Sequence, residues 1–144
     1  MPGWVQQGYK EYTKRIGVGL DIQLIEISPE KRGKSSDVKR IMQKEAECMR
    51  QSISRDNYVI ALDKEGSSWS TETLANKITG WQQDGTNISI LIGGPEGMTP
   101  ELLQQADTRI SLSAMTFPHP VVRIILAEQL YRAYSILNHH PYHK

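Results

Sequence analysis

Short apolar runs alternate along this chain with amphipathic segments, and this alternation restricts the possible folds more than any other feature. The clearest case is ISILIGGPEGMTP, residues 88–100, where a β-branched run predicts a buried strand and Thr99-Pro100 predicts a helix start. Further strands are predicted at 22–27, 58–62 and 110–113, and helices at 4–16, 36–53, 74–84 and 121–137. The pattern predicts an α/β fold, a mostly parallel sheet with helices on both faces.

The composition is typical of one globular domain, spanning residues 1–144, with 38% hydrophobic and 23% charged residues. A net charge of +1 excludes a polybasic surface and restricts any nucleic-acid contact to local patches. The single cysteine, Cys48, excludes an intramolecular disulfide and fits a reducing compartment. No apolar run reaches the ~18 residues of a membrane span and no signal peptide is visible, so we expect a cytoplasmic protein without membrane contact.

Three glycines, Gly93, Gly94 and Gly97, leave the end of the strand at 88–92 without side chains. Such a corner is where an α/β sheet brings a ligand against the backbone. The segment fits neither a P-loop, which needs a lysine after its glycines, nor the G-x-G-x-x-G fingerprint. A neutral or cationic nucleoside is therefore a better ligand than a pyrophosphate. The alternative is a tight turn with no ligand.

A second loop, SLSAMTFPHP at residues 111–120, also follows a strand and precedes a helix. Two such loops at the carboxyl ends of strands predict one shared crevice. Ser113 and Ala114 leave room for a flat purine, and Met115 and Phe117 provide apolar walls. The alternative for Met115 and Phe117 is that they belong to the ordinary core.

The last predicted helix, VVRIILAEQLYRAYSIL, is apolar on nearly every side, which predicts that a partner subunit covers part of it. Arg123 falls in its first predicted turn, where the helix dipole disfavours a cation, so an acidic group, a phosphate or a carbonyl is expected beside it. Glu128 and Arg132 have the spacing of an i,i+4 ion pair.

All four histidines lie in the last 26 residues of the chain: His119, His139, His140 and His143. No cysteine or acidic cluster accompanies the tail, so we predict no metal site. A tail that carries imidazoles and a tyrosine is instead suited to proton transfer near neutral pH.

The longer motifs, taken together, resemble one family. They are LIGGPEG, then SLSAMTFPHPVVRIILAEQLYRAYSI, then NHHPYHK at the end, with VIALD, LIEI followed by KRGK, and WVQQGYKEYTKR upstream. This set is similar to the RlmH family, small bacterial methyltransferases of the trefoil-knot (SPOUT) class that act on ribosomal RNA. The resemblance covers essentially the whole chain.

The resemblance implies a C-terminal α/β trefoil knot, in which the end of the chain threads a loop. It also implies that S-adenosylmethionine is the cofactor and binds bent in the knot. The glycines then admit an adenosine that carries a sulfonium, with no phosphate to bind. The implied cofactor-binding residues are Leu62, Gly93, Gly94, Leu112, Ser113, Ala114, Met115, Thr116 and Phe117.

The implied reaction is methylation of N3 of a pseudouridine in the large-subunit (23S) ribosomal RNA of the assembled ribosome. The implied assembly is a homodimer in which the tail of one subunit reaches the cofactor site of the other. Tyr142 and His143 are then expected to contact the target or handle its proton, and Arg123 and His119 to orient RNA or base. A basic loop is expected to contact phosphates, with a solvated surface loop as the alternative: Lys31, Arg32 and Lys34.

Two other functions remain open at this stage. One is a different knotted RNA methyltransferase, acting on transfer RNA or a ribose 2'-hydroxyl. The other is a non-catalytic, ribosome-associated module that binds S-adenosylmethionine. The chain also departs from the family pattern, because members normally begin with a short apolar strand and a glycine-containing turn before the opening helix. We therefore expect that restoring such a strand raises thermal stability.

Overall fold

The computed structural model describes residues 2–27 and 37–143. Within these ranges the chain forms five α-helices, three β-strands and one short 3-10 helix. In chain order they are α1 (Gly3–Thr13), α2 (Val38–Ser52), β1 (Tyr58–Ser68), α3 (Thr71–Asp84), β2 (Ile88–Leu91), α4 (Pro100–Gln105), β3 (Thr108–Ser111), α5 (His119–Leu137) and the 3-10 helix (Pro141–His143). No helix in the described ranges has the length and apolar character needed to cross a bilayer.

These elements divide into two compact units. The first, here called the helical unit, contains α1, α3, α5 and the 3-10 helix; it comprises Met1–Gln23, Ser68–Thr86 and Met115–Lys144. The second, here called the sheet unit, contains the strands with α2 and α4; it comprises Leu24–Ser67 and Asn87–Ala114. The expectation that residues 1–144 form one domain stays a prediction.

The sheet has the strand order β2-β1-β3. The central strand β1 runs parallel to β2, with Tyr58 opposite Ile88 and Ala61 opposite Leu91. Ile60 and Ala61 are consecutive, so their side chains point to opposite faces, and both are 0% exposed. Both faces of the central strand are therefore covered. The α/β class, a parallel sheet flanked by helices, is confirmed; the trefoil knot stays a prediction.

The sheet unit is held together by a small apolar core in which helices meet β2. Ala46 of α2, Leu91 of β2 and Leu102 of α4 are buried against one another, and partly buried side chains surround them: Met49, Ile53, Val59 and Met98. The helix start predicted at 99–100 is confirmed. The Thr99 hydroxyl accepts a hydrogen bond from the backbone N–H of Leu102 at 3.2 Å, and Pro100 occupies the first helical position.

The helical unit is built around α5. Leu74, Ala75 and Ile78 of α3 are buried against Ala133 of α5. Helix α1 approaches α5 so closely that a Cβ atom built on Gly8 lies 2.7 Å from the Ile124 side chain. Helix α3 ends at Asp84, as predicted, and the next residue, Gly85, adopts the left-handed conformation (φ 67°) that is usual after a helix.

Several elements differ from the sequence-based expectations. Residues 22–27 are described but form no strand, and Leu24 and Ile25 are 41% and 54% exposed. A strand depends on pairing with a neighbour, which an apolar run alone does not guarantee. Strand β1 continues past its predicted end at 62 to Ser68, and β3 begins at Thr108, before the predicted start at 110.

Helix α5 also begins earlier than predicted, at His119. Arg123 is therefore its fifth residue and lies beyond the first turn. The helix dipole acts mainly within the first turn, so it does not by itself require a partner for Arg123; the expected acidic group, phosphate or carbonyl beside this residue stays a prediction.

Candidate functional site

The glycine corner after β2 is a closed turn. The Gly97 N–H donates to the Gly94 carbonyl oxygen at 2.9 Å, and the φ of Gly97 is +82°. A Cβ atom built on Gly93 lies 3.0 Å from the carbonyl carbon of Gly97. The turn alone therefore explains glycine at positions 93 and 97.

Gly94 is the glycine that the turn does not require. Its φ is not positive, and a Cβ atom built on it makes only an ordinary contact, 3.4 Å from Oε1 of Glu45. An alanine therefore fits position 94 in the protein alone. The missing side chain at 94 leaves space for a ligand, and the nearby Glu45 carboxylate favours a cationic ligand over a phosphate.

The strand register brings three predicted segments to the same edge of the sheet. Ala61 is opposite Leu91, the last residue of β2, so Leu62 is level with Ile92 at the start of the glycine corner. On the other side of β1, the third strand ends at Ser111 and continues into the loop at 112–114. This carboxyl edge is where ligands bind in open α/β sheets. It contains Leu62, Gly93, Gly94, Leu112, Ser113 and Ala114.

The loop after β3 is fixed at its start by the hydroxyl of Ser111, which donates to the carbonyl oxygen of Ser113 at 3.0 Å. From Met115 onward the chain belongs to the helical unit, and this part includes the other predicted cofactor residues, Thr116 and Phe117. Met115 is 71% exposed, so the alternative that it belongs to the ordinary core is wrong.

The C-terminal tail turns back immediately after α5. His139 is left-handed (φ 57°), and the N–H of His140 donates to the carbonyl oxygen of Ser135 at 2.8 Å. This hydrogen bond between residues five apart is typical of the Schellman motif, in which the left-handed position, here His139, is usually a glycine. The reversal leads the tail into the short helix Pro141–His143.

The tail places Tyr142 against side chains of α5. Its hydroxyl donates to Oε1 of Glu128 at 3.1 Å, and Nε of Arg132 donates to the same oxygen at 2.8 Å. The guanidinium carbon of Arg132 lies 4.9 Å from the centre of the Tyr142 ring, and the Tyr131 ring centre lies 4.6 Å away. The predicted pair Glu128–Arg132 is confirmed, and Tyr142 is a third member that the sequence did not reveal.

Burial raises the pKa of Tyr142 above its ordinary value, and the Glu128 carboxylate raises the pKa further. The neighbouring Tyr12 acts in the same direction, whereas Arg132 opposes it. The phenol is therefore neutral at physiological pH and gives its proton to a hydrogen bond with Glu128. Tyr142 is better suited to orient a ligand than to remove a proton from it.

The other predicted site residues are less defined. His119 and Arg123 are partly buried in the first turns of α5. The His143 side chain lies outside the described part of the chain, as do Lys31, Arg32 and Lys34. In residues 2–27 and 37–143, no three His, Cys, Asp or Glu side chains form a group that could hold a metal ion.

A comparison with protein families adds independent evidence. A family model described as "Predicted SPOUT methyltransferase" matches residues 1–143. The match includes both the carboxyl edge of the sheet and the tail cluster of Glu128, Arg132 and Tyr142. SPOUT methyltransferases generally use S-adenosylmethionine. Because the match extends over nearly the full length, the chain belongs to the SPOUT methyltransferase family.

Proposed function

We propose that this protein transfers the methyl group of S-adenosylmethionine to N3 of a pseudouridine in the 23S ribosomal RNA of the assembled ribosome. Membership of the SPOUT family supports an RNA methyltransferase that uses this cofactor. The observation that carries the proposal is the carboxyl edge of the sheet, where the glycines 93 and 94 lie level with Leu62 and beside the loop at 112–114. The finer target follows from the RlmH-like motifs in the sequence.

The donor set at this edge fits S-adenosylmethionine. It offers backbone groups, small side chains and the Glu45 carboxylate near Gly94, and these suit a nucleoside with positive charge. Leu62, Gly93, Gly94 and residues 112–114 would hold the cofactor, and the implied contacts of Met115, Thr116 and Phe117 stay predictions. When bound, it supplies a methyl group on a sulfonium, which needs no metal to be reactive.

The protein must then orient the base and allow the N3 proton to leave. Placing N3 in line with the methyl group is a matter of positioning, and loss of the proton needs an acceptor. The neutral phenol of Tyr142 orients the base through its oxygen. We assign the acceptor role to an imidazole, that of His143 or His119, and an orienting role toward RNA to Arg123.

We further propose that the active site forms in a homodimer. Helix α5 is apolar over most of its length, and the tail is fixed to α5 by Tyr142. In this proposal the tail of one subunit reaches the cofactor site of the other, as the RlmH-like motifs imply. The chain has a net charge of only +1, so we propose that it recognises the shape of the assembled ribosome, in the cytoplasm, rather than the charge of free RNA. In this proposal Lys31, Arg32 and Lys34 contact phosphates.

The test is methyl transfer from labelled S-adenosylmethionine to three acceptors: assembled ribosomes that lack the modification, free ribosomal RNA, and transfer RNA. We expect label in the assembled ribosomes only. Label in transfer RNA, or on a ribose hydroxyl, would favour a different knotted RNA methyltransferase. Binding of S-adenosylmethionine without transfer to any acceptor would favour a non-catalytic module.

A further inference from the structure

Glu128 makes more hydrogen bonds than an ion pair on a helix surface requires. Its Oε1 accepts from Nε and Nη2 of Arg132, at 2.8 and 2.6 Å, and from the Tyr142 hydroxyl at 3.1 Å. Its Oε2 accepts from the Gln129 side chain at 2.9 Å. The Glu128 side chain is only 17% exposed. Both carboxylate oxygens are therefore fixed in place.

The cluster is also tied to a second helix. The hydroxyl of Thr71, the first residue of α3, donates to the side-chain oxygen of Gln129 at 2.7 Å. Gln129 in turn holds Oε2 of Glu128. The position of the Glu128 carboxylate thus depends on α3 as well as on α5. The carboxylate is therefore held in place when it binds Tyr142 of the tail.

Tyr142 is held at both its hydroxyl and its ring. The hydroxyl is bound to Glu128, while the Arg132 guanidinium and the Tyr131 ring contact the aromatic ring. We propose that Glu128 and Arg132 are positioning residues that hold the Tyr142 oxygen in place as a hydrogen-bond acceptor for a ring N–H of the target base. The contact with a base rests on the proposed function, whereas the hold on Tyr142 does not.

The direction of the hydrogen bond defines this acceptor role. Because the O–H of Tyr142 is directed at Glu128, the phenol oxygen has only lone pairs left to offer. A lone pair binds a donor, and a pseudouridine offers its second ring N–H at N1, away from the N3 atom that receives the methyl group. Arg132 neutralises Glu128, so this contact does not place a net negative charge beside an anionic RNA.

The hold on Tyr142 can be tested without RNA. The protein is labelled with 3-fluorotyrosine, and the Tyr142 fluorine resonance is identified by its loss in Tyr142→Phe. We expect Glu128→Gln to shift this resonance and to lower the phenol pKa, since a negative charge beside the phenol is removed. Arg132→Lys keeps the charge but loses the planar contact with the ring, so it shifts the resonance as well.

Glu47→Gln is the matched control. Glu47 forms an ion pair with Arg50 on α2 at 3.0 Å, so the substitution removes the same charge from the sheet unit, whereas Tyr142 belongs to the helical unit. It should leave the Tyr142 resonance and pKa unchanged. An unchanged resonance in folded Glu128→Gln and Arg132→Lys would overturn the proposal.

Enzyme kinetics tests the second half of the proposal. With ribosomes that lack the modification, we expect Glu128→Gln to lower kcat about tenfold or more, because misplaced contacts are costly, while KM for S-adenosylmethionine stays unchanged. A normal kcat in a variant with a shifted Tyr142 resonance would overturn the role toward the base. If the wild type itself methylates no RNA, the proposed function fails, and the fluorine result still decides whether Tyr142 is held.

Discussion

Alanine substitutions at Gly94 and Gly97 distinguish a ligand-binding corner from a simple tight turn. At position 97 the φ of +82° is the left-handed region, where a non-glycine residue costs about 1–2 kcal/mol. For a chain of this size the loss corresponds to a fall in Tm of about 2–8 °C. At position 94, alanine meets only the flexible side chain of Glu45 at 3.4 Å, so we expect unchanged stability or a gain of up to about 1 kcal/mol.

The two variants should also separate stability from ligand binding. The added methyl group of Gly94→Ala occupies the space through which the proposed cofactor approaches the backbone. We expect at least about a tenfold loss of affinity, or about 1.4 kcal/mol, with no loss of Tm. Isothermal titration with S-adenosylmethionine and thermal unfolding of the same preparations provide both values. Wild-type affinity in Gly94→Ala would refute the ligand role of this corner, and an unchanged Tm in Gly97→Ala would refute the turn geometry.

Three further substitutions test the packing of the sheet and the tail. Gly66→Ala should lower the free energy of unfolding by about 1–3 kcal/mol, measured in urea, because its Cβ would lie 2.7 Å from the backbone of Arg109; an unchanged value would contradict this close approach. His139→Gly should stabilise the protein by about 1 kcal/mol, since it relieves a left-handed histidine, and a loss of stability would argue against the tail reversal. Tyr142→Phe should change the pH dependence. The raised pKa of Tyr142 contributes stability that is fully present below pH 10.0 and is lost as pH rises through the folded-state pKa, so wild type should lose more stability than the variant above pH 10.0. Parallel losses in both proteins would contradict the burial of this phenol.

Local signals in the sequence were sufficient for several elements of the fold. Thr99-Pro100 begins α4 and Gly85 ends α3, because caps depend on residues within one turn of the helix end. The apolar run at 22–27 was misleading, because strand formation depends on a partner elsewhere in the chain. The extension of β1 to Ser68 was missed for the same reason, because no local sequence pattern shows which strand will pair with it.

The candidate site was predicted unevenly for similar reasons. The glycine corner and the loop at 111–120 could be grouped from sequence because parallel strands bring their carboxyl ends to one edge, whereas Leu62 was implied only by the family resemblance. The contact of Tyr142 with Glu128 could not, because it requires the chain to reverse at His139, at a position after the helix where glycine is the usual signal. The i,i+4 spacing of Glu128 and Arg132 was visible, but spacing alone did not indicate a third partner.

The most direct test of the proposed function is to identify the methylated nucleoside. Assembled ribosomes that lack the modification are incubated with the protein and isotopically labelled S-adenosylmethionine, and their 23S RNA is digested and separated by mass spectrometry. We expect one labelled product, a pseudouridine methylated at N3, which is missing when Gly94→Ala replaces the wild type at limiting cofactor. A labelled ribose-methylated nucleoside, or no labelled nucleoside at all, would contradict the proposed reaction.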